Sequence, residues 1–235
     1  MSEKVALVYG SNGSIGTEIT RAFAAAGYQA VGTDSDSKKT SEEFARLVKG
    51  VEAESGPIEV LVNVLALHDG YVDPVNLPLD DEDALDNEVR ATRRLIASVA
   101  DGMQARGGGV ILNVASILGG MNGGNQGRLA AAKASVMGLT RGLALELGRY
   151  QIRVVSVSHG LIETPSVRRY LQASSDAERR IAIDERIPLG RVGRPEDVSG
   201  VCVFAASDRA SFITGSDLMV DGGTSAFNTV FSYNP

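Results

Sequence analysis

The chain has no tryptophan, one cysteine and two histidines among its 235 residues, and only 5% of it is aromatic. A lone thiol, Cys202, excludes an internal disulfide framework and a thiolate metal cluster within one chain. A basic excess is missing too: 23 Lys and Arg against 29 Asp and Glu leave a net charge of −6, without the positive field that draws a nucleic-acid backbone. No apolar run approaches the ~18 residues of a membrane span, and the opening MSEKVALVYG lacks signal-peptide form. The expectation is a cytoplasmic protein that acts on a small molecule, with no metal, nucleic-acid or membrane partner.

Glycine and aliphatic residues are plentiful. The 27 Gly exceed the ~7% of average usage without a collagen-like period, and 43% hydrophobic residues are too many for a disordered chain. Short apolar runs alternate with stretches of helical period, which predicts strand-helix-strand units and a mostly parallel sheet. The strand candidates are Val5–Tyr9, Gln29–Thr33, Ile58–Val64, Gly109–Ser116, Ile152–Ser158 and Asp217–Asp221. They are rich in Val, Ile and Leu without strict alternation, as strands covered on both faces are. Ile15, Ile19, Ala22, Phe23 and Ala26 share one helical face, and so do Val136, Leu139, Leu143 and Leu147. A third helix covers 80–106, and Pro195-Glu196-Asp197 opens another with acids at its positive end. With no linker or internal repeat, residues 1–235 read as a single doubly wound α/β domain.

The first strand runs through YGSNGSIG, Tyr9 to Gly16, directly into a helix. Glycines at such a turn let the backbone approach a pyrophosphate, which free N–H groups of the helix N-terminus then stabilise. A glycine-rich turn also serves merely to redirect the chain, so its context decides. Asp34 ends the second strand 18 residues after Gly16, where a carboxylate bonds an adenosine ribose and repels a 2′-phosphate. The pairing predicts NAD rather than NADP.

The C-terminal half carries a more specific pattern. KASVMGLTRGLALELGRYQIRVVSVSHGLIETP and RIPLGRVGRPEDVSGVCVFAASDRASFITGSDLMVDGG closely resemble the classical short-chain dehydrogenase/reductase family, and the likeness extends over the Gly loop, GPIEVLVN and GGGVILNVAS. The resemblance implies a Rossmann-like fold and hydride transfer between a nicotinamide and an alcohol or ketone. It also implies a Ser that orients the substrate oxygen, a Tyr that passes the proton, a Lys that assists the Tyr and holds the nicotinamide ribose, and a supporting Asn. Ser116 and Lys133 match the Ser and Lys. Gly10, Asn12, Ser14, Ile15, Gly16, Asp34, Asn63, Lys133, Ile162 and Thr164 match positions that hold the cofactor.

The departures are as informative. Four residues before Lys133, where the family has its tyrosine, stands Leu129. None of the five lysines, at 4, 38, 39, 49 and 133, has a Tyr in that relation, and the longer enoyl-reductase spacing finds Gln126. The supporting Asn aligns with Glu88, with Asn87 one residue out of register. Leucine has no dissociable proton, and a general acid or base contributes about 10²- to 10⁴-fold to rate. The turn Asn63-Val64-Leu65-Ala66 puts a leucine where a small residue faces the adenosine ribose, which predicts crowding. Between Asp34 and a helix beginning near Thr40 only five residues remain, too few for the family's helix and edge strand, so six strands are expected.

Both histidines follow strands on the ligand-binding edge, His68 after the third and His159 in place of a proline before Gly160. Either, as proton donor, would rebuild a site with Ser116, Lys133 and Glu88; the bland reading makes His159 loop filler and His68 a surface turn. Arg93 and Arg94 read as a solvated helix face, and Cys202 as a small buried hydrophobe. Two functions follow. One is an impaired subunit, a pseudoenzyme, in an NAD-dependent hydroxy/keto oxidoreductase assembly whose substrate class includes acyl thioesters. It would form a homo- or hetero-oligomer through the helices at 80–106 and 126–148, with an intact paralogue as partner. The other is a stand-alone oxidoreductase, lyase or isomerase with a rebuilt acid/base site.

Overall fold

The computed structural model describes residues 4–36, 38–65, 82–121, 127–176, 183 and 185–226. Six strands make one parallel sheet: β1 (Val5–Tyr9), β2 (Gln29–Thr33), β3 (Ile58–Asn63), β4 (Gly109–Ser116), β5 (Ile152–His159) and β6 (Asp217–Val220). Each ends within one residue of the run expected from sequence. The order β2-β1-β3-β4-β5-β6 reverses direction between β1 and β3, and the crevice at the carboxyl ends there is where open α/β sheets bind ligands.

Six α-helices are described around the sheet: α1 (Ser14–Ala25), α2 (Ser41–Ser55), α3 (Glu82–Ala105), α4 (Gly127–Leu147), α5 (Pro165–Ala173) and α6 (Pro195–Ala206). The two-residue period of β1 divides the core. Val5, Leu7 and Tyr9 pack with Phe44 of α2, Leu95 of α3 and Ala144 of α4. Ala6 and Val8 face the other way, onto Ile19 and Phe23 of α1 and Val198 and Cys202 of α6. Cys202 is fully buried, and burial pushes its thiol up to about 12. Among the described residues no helix is long and apolar enough to cross a membrane.

The shortened segment after β2 confirms the missing edge strand and shows what replaces it. The Tyr9 hydroxyl donates to Asp36 O at 2.8 Å and accepts from Asp36 N at 2.7 Å, while its ring meets Phe44 edge-on at 5.4 Å. Desolvation raises the phenol to about 12, against a smaller lowering by the Asp36 backbone bond. Thr40 then opens α2 with a capping box, accepting from Glu43 N while Glu43 Oε2 accepts from Thr40 N. Arg94 corrects its sequence reading: it is half-buried and donates to Lys39 O at 3.0 Å, whereas Arg93 is exposed. On the opposite side, Asp217 accepts from Ser156 Oγ and Ser158 Oγ at 2.8 and 2.7 Å, tying β6 to the strand that ends in His159.

Candidate active site

The loop from β1 to α1 is built on glycine where nothing larger fits. Gly10 has φ +96°, and a Cβ on it would lie 2.1 Å from Val64 O; one on Gly16 would lie 2.0 Å from Gly10 O. The loop therefore folds onto itself and onto the turn after β3. Gly13 caps α1 without a side-chain hydrogen bond, so the first turn of the helix offers backbone donors to an anion.

A cleft of about 400 Å³ opens beside this loop. Of the residues singled out by sequence, it brings together Gly10, Asn12, Ser14, Ile15, Gly16, Ser116, Leu129, Lys133, His159 and Thr164. Asp34 is exposed just beyond β2, and Ser35 lines the wall in its place. Asn63 is buried, its Nδ2 donating to Asn113 Oδ1 at 2.9 Å, and Asn113 in turn donates to Thr140 Oγ1 at 2.9 Å. Ile162 is buried against the α6 side and lines a neighbouring cleft of about 490 Å³ that holds neither Lys133 nor His159. His68 and Gln126 lie outside the described residues.

Ser116 and His159 close adjacent parallel strands and are register partners. Ser116 Oγ accepts from Leu118 N at 3.3 Å, which leaves its hydroxyl hydrogen available. His159 Nδ1 lies 2.8 Å from Gly160 O. A carbonyl only accepts, so Nδ1 carries the proton and Nε2 of the neutral ring is an acceptor. Burial lowers the His159 pKa; the Gly160 bond opposes this and the Lys133 charge adds to it. The ring is therefore neutral at pH 7, and the proton donor expected from sequence is, as the ring stands, a proton acceptor.

Lys133 sits on α4 one turn after Leu129, so both reach the cleft from one helical face. Its Nζ donates to Glu88 Oε1 of α3 at 2.6 Å and to Leu65 O at 2.7 Å. The two charged side chains are only 7% and 3% exposed. Glu88 Oε2 is buried without a protein hydrogen-bond partner among the described residues. Leu65 crowds less than expected: it is 6% exposed and packs into the core shared with α2 and α3, although it still borders the cleft. Its carbonyl escaped sequence reasoning because every residue has one, and only the fold decides which faces an ammonium. Val64, Val114, Leu118 and Gly160 were missed as walls for the same reason.

Gly10 and Gly16 let the loop close tightly onto Val64 and onto itself, and the uncapped first turn of α1 lines the cleft with free backbone donors, as the pyrophosphate of a dinucleotide requires. Thr164 stands at the other end, its Oγ1 accepting from Val167 N at 3.3 Å at the start of α5. No cluster of three or more metal-ligating side chains occurs among the described residues.

A family model described as Enoyl-(Acyl carrier protein) reductase matches residues 39–225. The cis-4-hydroxycyclohexanecarboxylate dehydrogenase of Sinomonas cyclohexanicum is 35% identical over 232 residues, 94% of this chain and 87% of that protein. The 3-oxoacyl-[acyl-carrier-protein] reductase FabG of Escherichia coli K12 is 31% identical over 243 residues, 94% of this chain and 96% of that protein. The solved structure of ligand-free Thermoplasma acidophilum aldohexose dehydrogenase superposes with a TM-score of 0.87 over 99% of this chain and 98% of that one; at 24% identity this is a likeness of fold.

Proposed function

Because this chain belongs to the short-chain dehydrogenase/reductase family, whose proton relay needs a tyrosine that is absent here, we propose that it is a catalytically impaired subunit of an NAD-dependent hydroxy/keto oxidoreductase assembly. The observation that carries the reading is Leu129. It borders the cleft one turn from Lys133, and the ammonium that would assist a tyrosine is paired with Glu88 instead. Ser116 can still orient a substrate oxygen, but no hydroxyl stands at position 129 to exchange a proton with it. Bound NAD would accept or supply hydride, held chiefly by the Gly10–Gly16 loop, with Thr164 at the other end of the cleft.

Pairing through α3 and α4 with an intact relative would give this chain a structural role beside a subunit that keeps its own acid. Leu145 of α4 is 86% exposed, and Leu189, Phe212 and Met219 add apolar surface near β6, which favours an assembly over an isolated chain. The names of the relatives in Sinomonas and Escherichia favour a hydroxy acid or an acyl thioester as substrate. Native mass spectrometry of the chain made with and without its genomic neighbours, with NADH added, tests the reading. A hetero-oligomer with an intact relative is expected; a homo-oligomer that turns over alone overturns it.

His159 favours a second reading, a stand-alone enzyme with a rebuilt site. Ser116 would orient a substrate hydroxyl and the unprotonated Nε2 would accept its proton while the hydride passed to NAD⁺, giving alcohol oxidation by a neutral base. A turnover abolished by His159→Ala supports this reading, and an unchanged rate rejects it.

A further inference from the structure

An ammonium has three N–H donors. At Lys133 two are used inside the protein, by Glu88 Oε1 at 2.6 Å and Leu65 O at 2.7 Å. These acceptors come from α3 and from the segment after β3, so neither yields without moving a packed element. Opening the ion pair is also costly, since separating buried partners leaves an uncompensated charge. The penalty falls on a carboxylate whose Oε2 already lacks a protein partner among the described residues. A ribose diol takes two donors from one ammonium, and one remains.

The other end of the cleft keeps its glycine loop. The Gly10–Gly16 loop keeps the two positions where a Cβ would clash, and α1 begins without a side-chain cap. The site is thus built to grip one half of a dinucleotide and not the other.

We propose that Glu88 is a positioning residue that withholds Lys133 from the nicotinamide ribose, so that the cleft holds an adenine dinucleotide by its adenosine and pyrophosphate alone and takes ADP about as well as NAD⁺. The ligand class is adenosine diphosphate compounds, with the nicotinamide end contributing little. This rests on the reading that the cleft retains a dinucleotide.

Isothermal titration calorimetry of the full chain with NAD⁺ and with ADP tests it, using the wild type, Glu88→Asn and Glu88→Ala. For the wild type the two Kd values are expected to agree within about threefold. In whichever variant keeps a cooperative thermal melt, Lys133 is released, and a hydrogen bond from a charged donor corresponds to about tenfold or more in affinity. NAD⁺ should therefore tighten by that factor while the Kd for ADP stays put, a selective change that a merely structural role for Glu88 does not produce. A wild type that prefers NAD⁺ by tenfold, or variants that leave the NAD⁺ to ADP ratio unmoved, overturns the proposal while the cofactor reading stands. Binding of neither nucleotide to any of the three proteins removes the cofactor reading and the proposal with it.

Discussion

His159 is held below the ordinary histidine value of 6.5 chiefly by its burial. A depressed pKa means that the unfolded chain binds more protons than the folded one between the two values, so stability rises with pH across that window. The contribution is full above 6.5 and is lost as pH falls through the folded value. His159→Asn should flatten the fall in Tm between about pH 7 and 5 relative to wild type, while the fall that both share reports the carboxylates. A second residue-scale expectation joins Leu129 to Glu88. Leu129→Tyr alone restores a hydroxyl beside an ammonium that Glu88 and Leu65 O already occupy, so its NADH-linked turnover should stay near background. Leu129→Tyr with Glu88→Asn frees that ammonium and should gain on the order of 10²-fold, the lower end of what a general acid contributes. A single variant as active as the double one would show that Glu88 has no hold on Lys133. The absence of tyrosine was legible in sequence as a spacing, whereas the pairing of residues 88 and 133 was not, because it depends on how α3 packs against α4.

The segment from Asp34 to Thr40 shows how an element can be lost without opening the core. Removing a helix and a strand leaves β2 at the edge and uncovers the end of β1. Tyr9 fills the gap: its ring packs on Phe44 and its hydroxyl satisfies both backbone groups of Asp36. Tyr9→Phe keeps the ring and hands both backbone groups of the exposed Asp36 to water, so it should cost about 0.5–1.5 kcal/mol in urea unfolding and speed amide exchange at Asp36. An exchange rate unchanged at Asp36 would mean that the ring alone holds the loop. All six strands could be read in advance because parallel strands buried on both faces are continuous aliphatic runs. The role of Tyr9 could not, since a strand residue gives no sign of which distant loop its hydroxyl meets.

At the scale of the molecule, Leu145 is the exposed large apolar residue that α4 offers among the described residues. Leu145→Glu should shift the native mass toward the monomer if α4 carries the pairing, while changing the unfolding free energy of the separated chain by no more than about 0.5 kcal/mol, as solvated surface substitutions do. An unaltered mass would place the contact elsewhere. The α/β class, the strand count, the glycine loop and the missing acid could be read from the order of residues, because each is a matter of period, length or residue type along the chain. That Glu88 holds Lys133, that His159 is an acceptor, that Asn63 turns toward Asn113 and that Leu65 offers its carbonyl came with the packing. Those outcomes depend on which groups lose water together when separate elements close around one cleft, and the order of residues along the chain does not record it.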